Sequence, residues 1–204
     1  MPEDHGPDAT TTVPPVDHTA AEPAFREMRV ASTWDGRPAA PGEVASVRLA
    51  TAGGDLTLHV DAPFHGDPPP PGPPGPTPGL WEHEVVEVFI AGGPGATRYL
   101  EIELSPHGHH LVLRLEGVRN PVEEGLPLDY TAHLDRGAGR WTGEARVPAA
   151  WLPPPPHRVN AFAIHGEGSE RRYLAWHSLP GDEPDFHQPG HFPTVDDATA
   201  FGAL

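Results

Sequence analysis

Seven stretches of the chain alternate apolar and polar residues with a period of two, the pattern of strands buried on one side. DLTLHV at 55–60 places Leu56, Leu58 and Val60 on one face. EVVEVFI at 84–90 sets Val86, Val88 and Ile90 against Val85, Glu87 and Phe89. YLEIEL at 99–104 turns Leu100, Ile102 and Leu104 inward and Tyr99, Glu101 and Glu103 outward. HHLVLRL at 109–115 divides Leu111, Leu113 and Leu115 from His110, Val112 and Arg114. WTGEARV at 141–147 divides Trp141, Ala145 and Val147 from Thr142, Glu144 and Arg146. AFAIH at 161–165 sets Phe162 and Ile164 against Ala163 and His165, and RYLAW at 172–176 is a further short strand.

The segments 91–98, 105–109 and 136–140 carry the glycines of hairpin loops. A short helical turn is predicted at 148–152, with Pro148 at its first position. Many short strands with no helices between them predict an all-β fold, an antiparallel β-sandwich or barrel, and argue against α/β crossovers. Residues 1–24 are polar and proline-rich and predict a disordered tail. The rest, 25–204, reads as one domain, with an extended proline-rich loop of polyproline character at 68–79.

The alternation has a consequence for function. With the aliphatic residues in the core, the opposite face collects Glu87, Glu101, Glu103, Glu144 and His165, with Arg114 and Arg146. Like charges facing one another across strands are destabilising. The cluster is therefore either a solvated outer face or a ligand-binding concavity. Trp81, at a strand entrance, is either rim packing or a stacking platform. The proline-stiffened loop EPDFHQPGHF at 183–192 offers Phe186, His187 and Phe192 either as half of a clamp or as a plug for the open end of the sandwich.

Charge narrows the partners. Thirteen Lys and Arg against 29 Asp and Glu leave a net charge of −16. Such a field repels phosphate backbones and anionic lipid. No nucleic-acid and no membrane partner is expected; a small polar molecule is. No run is apolar enough to span a bilayer, and MPEDHGPDATTTVPPVDHTAAEP lacks the pattern of a signal peptide. The absence of cysteine excludes thiolate chemistry and fits a reducing compartment, so a cytoplasmic location is expected.

Specific chemistry is sparse. There is no nucleotide-binding glycine fingerprint, no nucleophile elbow and no HExxH zinc motif. His107, His109 and His110 in SPHGHH raise the possibility of a divalent metal, with His165 a further isolated ligand candidate. A Glu87–Glu101 pair has the residue types for glycosidase-like acid and nucleophile work. An enzyme acting on a sugar or amine through the Glu/His cluster, with or without a metal, is thus the alternative to a binding module.

Several ordered segments carry a resemblance. TWDG at 33–36, APFHGDPPPP at 62–71, LWEHEVVEVF at 80–89, YLEIELSPHGHHLVL at 99–113, GVRN at 117–120, FAIHG at 162–166 and PDFHQP at 184–189 closely resemble an uncharacterised family of vertebrate chromosome 4 open-reading-frame products. More distantly, Trp81 to Phe89, Trp141 to Pro148 and Phe186 to Phe192 resemble the ordered motifs of family 9 carbohydrate-binding modules and related DOMON-like sandwiches. That resemblance implies a jelly-roll-type β-sandwich. It implies a ligand held between Trp81 and Phe186, with Glu87 as a hydrogen-bonding carboxylate. It also implies Glu101 and Glu103 where sugar-binding members carry arginine and asparagine, and His165 in place of a glutamine-like residue. Haem is not expected, because Met1 and Met28 lie outside the matching core. The expected function is a non-catalytic binding module for a sugar-like or cationic ligand, with Trp81, Glu87, Glu101, Glu103, His165, Phe186 and His187 as its site.

Overall fold

The computed structural model describes residues 26–195 except Gly53. The segment expected to be a disordered tail, 1–24, lies outside the described residues.

Twelve strands follow in chain order: β1 Arg26–Val30, β2 Ser32–Thr33, β3 Ala45–Ala52, β4 Asp55–Pro63, β5 Val85–Ala91, β6 Arg98–Leu104, β7 His110–Glu116, β8 Pro121–Glu124, β9 Asp129–Asp135, β10 Arg140–Val147, β11 Arg158–His165 and β12 Arg172–Ala175. They form a five-stranded sheet, β1-β3-β4-β10-β9, and a seven-stranded sheet, β2-β12-β11-β5-β6-β7-β8. Every pairing between these strands is antiparallel. The fold is the expected all-β sandwich. Helical content among the described residues is confined to single 3-10 turns. The turn at Ala149–Trp151 lies where a helical turn is predicted, but Pro148 is its N-cap and not its first residue.

The inner faces meet in one core. Val86, Val88, Ile90, Leu100, Ile102 and Val112 pack against Leu49, Leu56, Leu58, Trp141, Ala145 and Val147. Burying such side chains is worth about 1.5–3 kcal/mol each. The seven-stranded sheet carries a second apolar layer on its other face. There Phe89, Leu111, Leu113, Phe162 and Ile164 are covered by Leu179, Phe186 and Phe192 of the segment after β12. Every residue of β5 is consequently buried.

This second layer reverses two sequence expectations. Leu111, Leu113, Leu115, Phe162 and Ile164 face the outer layer, while Val112, Ala161 and Ala163 face the five-stranded sheet. Period-two alternation separates two faces but does not say which is inner when both are apolar. The proline-rich loop at 68–79 is also not one uninterrupted rod. Gly72, Gly75 and Gly79 take positive φ, and the loop docks at the start of β7 through His110 N–H to Gly75 O and Thr77 N–H to His110 O.

One glycine closes the turn out of β11. Gly166 has a φ of 77°, and a Cβ there would lie 2.6 Å from the carbonyl oxygen of Glu170. Gly166→Ala is expected to lower stability by about 2 kcal/mol, visible as a lower urea midpoint at an unchanged slope.

Candidate functional site

β5 and β6 pair so that Glu87 lies directly opposite Glu103, and Phe89 opposite Glu101. All three carboxylates therefore point to the outer face of the seven-stranded sheet, as alternation predicts. They are not solvated. Glu87 is 2% exposed, Glu101 3% and Glu103 0%, because the closing segment roofs this face.

A cavity of about 350 Å³ opens over them. Glu87, Glu101 and Phe89 form its floor, Trp81, Tyr173 and Phe186 its aromatic walls, and Arg119, Glu124 and His187 part of its rim. Trp81 is 44% exposed, and Phe186 is stacked on Phe162 with ring centroids 3.9 Å apart. Glu103 lies outside the lining, in contact distance of its carboxylate neighbours.

The rim is held by a polar chain. The Arg119 backbone N–H donates to the Tyr99 hydroxyl at 3.0 Å, and that hydroxyl lies 2.8 Å from His187 Nδ1. The hydroxyl and Nδ1 share one hydrogen bond, which leaves Nε2 as the remaining ring nitrogen of His187. That atom faces Glu101 Oε2 at 3.9 Å, beyond hydrogen-bond length. Asp185 accepts from both the Arg119 guanidinium, at 2.8 Å, and the His187 backbone N–H, at 2.9 Å. Arg119 adopts a φ of 55°, the one positive value among the described non-glycine residues. Arg171 donates to the carbonyls of Glu82, at 3.0 Å, and Gly166, at 2.9 Å, and to that of Trp81. It staples the Trp81 turn to the end of β11.

Burial dominates the electrostatics. It pushes Glu101 up to about 8, opposed by Glu103 and Arg119. Glu87 is raised well above the usual carboxylate range by burial and then by Glu101, and Glu103 by burial, Glu87 and Glu101. Near neutral pH the trio retains protons. Burial also pulls His187 down to about 4, so it is neutral. Glu101 Oε2 and both Glu103 oxygens are buried without a hydrogen-bond partner. Such groups are costly unless something satisfies them.

Five of the seven expected residues thus line one cavity: Trp81, Glu87, Glu101, Phe186 and His187. Glu103 adjoins them. His165 does not. It faces the five-stranded sheet, stacks on His65 at 3.4 Å and 5°, and lies 3.5 Å from Glu43. Its position follows from the reversal of β11, where the bulky Phe162 and Ile164 take the outer layer. Burial and His65 pull its pKa down to about 4. Glu144 and Arg146 also fall elsewhere, on the outer face of the five-stranded sheet, beside His59 and Asp55. Arg114 pairs with Glu123 at the edge strand.

The histidine cluster does not converge. His109 bonds to Thr77, His110 Nε2 accepts from the Leu128 N–H, and His107 packs edge-on against Phe64. Among the described residues, no group of three or more His, Asp or Glu is arranged to hold a metal ion. Sequence reading missed Arg119, Tyr173 and Glu124 as lining residues. Phe89 was accessible to it, since it shares the alternating face of Glu87.

No family model matches the chain. The UPF0462 protein C4orf33 homologue of Mus musculus is 40% identical over 184 residues, covering 86% of this chain and 94% of that protein. The Homo sapiens UPF0462 protein C4orf33 is 39% identical over 184 residues, covering 86% and 90%. A candidate carbohydrate-binding protein from Bacteroides uniformis superposes with a TM-score of 0.63 at 17% identity, over 84% of this chain and 85% of that one. This likeness establishes the shared sandwich fold. A family 9 carbohydrate-binding module from Caldicellulosiruptor kristjanssonii in complex with cellotriose aligns at 13% identity, over 87% and 86%, with a TM-score of 0.43, too loose to match single site residues.

Proposed function

The chain belongs to the UPF0462 family, and from that premise we propose that it is a non-catalytic binding module for a small polar ligand, sugar-like or cationic, taken up between Trp81 and Phe186. One observation carries this reading. Glu101 presents a buried, unpartnered carboxylate oxygen at the floor of an aromatic-walled cavity. A packed surface patch would not leave such an atom unsatisfied beside open volume, whereas a ligand hydroxyl or ammonium group would satisfy it.

The cavity has the size and mixture of a small-molecule site, with mostly apolar walls and few convergent polar groups. Trp81 supplies a face for stacking, and Glu87 and Glu101 fix orientation by charge-assisted hydrogen bonds. The sandwich fold is one that a candidate carbohydrate-binding protein also uses, which is consistent with this role.

A thermal-shift screen with monosaccharides, amino sugars and polyamines tests the proposal. At least one class is expected to raise the melting temperature. Trp81→Ala is expected to abolish that response while lowering the stability of the free protein by no more than about 2 kcal/mol, since Trp81 is 44% exposed. A ligand response that survives Trp81→Ala would move the site away from this cavity.

A further inference from the structure

We infer that the ligand of this cavity is an organic cation, an ammonium group seated on Glu87 and Glu101 and exchanged for a proton on binding. The inference rests on the binding-module reading above and goes beyond it by choosing the ligand's charge.

The geometry makes this choice. Glu87 faces Glu103 across the β5–β6 pair, and Glu101 lies on the same face of β6 two residues before Glu103. The charged groups that approach them come from four other places. Glu124 enters from β8, Arg119 from the turn before it, Arg171 from the residue preceding β12, and His187 from the closing segment. β7 brings Leu111 and Leu113 to this face and β11 brings Phe162 and Ile164, while Asn160 of β11 is uncharged and is spent on the His177 carbonyl and the Ala161 and His177 N–H groups. The two arginines are already engaged. Arg119 is paired with Asp185, and Arg171 donates to main-chain carbonyls. His187 is neutral. Among the described residues no cation therefore sits on the trio, and the carboxyls limit their repulsion by retaining protons.

A neutral polyol needs one or two acceptors and leaves that state unchanged. A third contiguous carboxyl adds nothing for it except cost. An ammonium group, by contrast, gains from every carboxylate it can ionise, and the surrounding Trp81, Phe89, Tyr173 and Phe186 faces favour a cation over a neutral group. The exchange balances. A carboxyl O–H releases its proton to water, and the ammonium, keeping its own protons, donates to the carboxylate formed. A bare metal ion fits poorly in a cavity of about 350 Å³ walled by aromatic rings.

Calorimetric titration of the full chain at neutral pH, in two buffers of different ionisation enthalpy, tests the inference. The charged probes are cyclohexylmethylamine and spermidine, and the neutral ones cyclohexylmethanol and D-glucose. The amines are expected to bind at least about 30-fold more tightly than their neutral counterparts. About one proton should be released per amine, and affinity should rise close to tenfold per pH unit below pH 8. Glu101→Gln keeps the shape of the side chain and is expected to lower amine affinity about 100-fold and to reduce proton release. Binding of the neutral probes without proton exchange, or amine binding that releases no proton or survives Glu101→Gln, would overturn the inference and leave the binding-module reading standing. If no probe binds at millimolar concentration, both fall.

Discussion

Raising the pH from 7 to 8 is expected to destabilise the protein by at least about 1 kcal/mol, opposite to the usual behaviour of buried, ion-paired carboxylates. A glutamate of the unfolded chain ionises near its ordinary value of 4.5, whereas Glu87 and Glu103 stay protonated in the fold well above it. A raised folded-state pKa contributes stability that is complete below the unfolded value and is lost as pH climbs towards the folded one. Such a group costs about 1.4 kcal/mol per pH unit while it is protonated in the fold and ionised in the unfolded chain, and Glu101, pushed up to about 8, gives most of that between pH 7 and 8. Glu84, pushed up to about 7 by burial, adds a smaller part, and the raised Glu87 and Glu103 act in the same direction. The buried histidines act with the other sign. His165 and His187, pulled down from 6.5 to about 4, contribute stability that is present above 6.5 and lost as pH falls through 4. Stability should therefore peak on the mildly acidic side of neutrality. Urea unfolding at pH 7 and pH 8 measures the slope. Glu103→Gln should flatten it and make the protein about 2 kcal/mol more stable than the parent at pH 8. A melting temperature that rises from pH 7 to pH 8 would mean the trio is ionised in the fold.

Phe186→Ala is expected to cost about 3–4 kcal/mol. Phe186 is only 8% exposed, stacked on Phe162 and met edge-on by Tyr173. It pins the closing segment that roofs the carboxylates, so its removal should also increase proteolytic cleavage between 180 and 192 and weaken ligand binding. Trp81→Ala should cost clearly less, about 1–2 kcal/mol. The two walls are therefore not equivalent. Phe186 is a core residue with one edge in the cavity, and Trp81 is a free platform. Chemical denaturation of both variants separates them, and equal losses would contradict the assignment.

The difference between these two aromatics shows what linear pattern can carry. Their place beside the acidic strands was legible from the ordered motifs, but nothing in LWEHE or PDFHQ distinguishes an exposed ring from a stacked one. That is set by which surfaces the closing segment covers. The strand β8, PVEE, carries no apolar signal because it is exposed throughout, whereas β9, DYTAHLD, alternates Tyr130, Ala132 and Leu134 with polar residues, a pattern legible in the sequence but absent from the predicted strands.

The sequence by itself determined the β-sandwich and put Glu87, Glu101 and Glu103 on one face, because side chains alternate strictly along a strand and β5 and β6 are joined by a hairpin. Tertiary structure alone decided three things. It buried that face, by laying Phe186 and Phe192 over it. It sent His165 to the other side of the sheet, because Phe162 and Ile164 are drawn to the second apolar layer. And it took Glu144 and Arg146 to the opposite sheet, because their strand pairs with β4. Alternation is a local property of the backbone, whereas the choice of which face meets water depends on segments far along the chain. For that reason the acidic cluster could be read from the sequence, but its protonation could not.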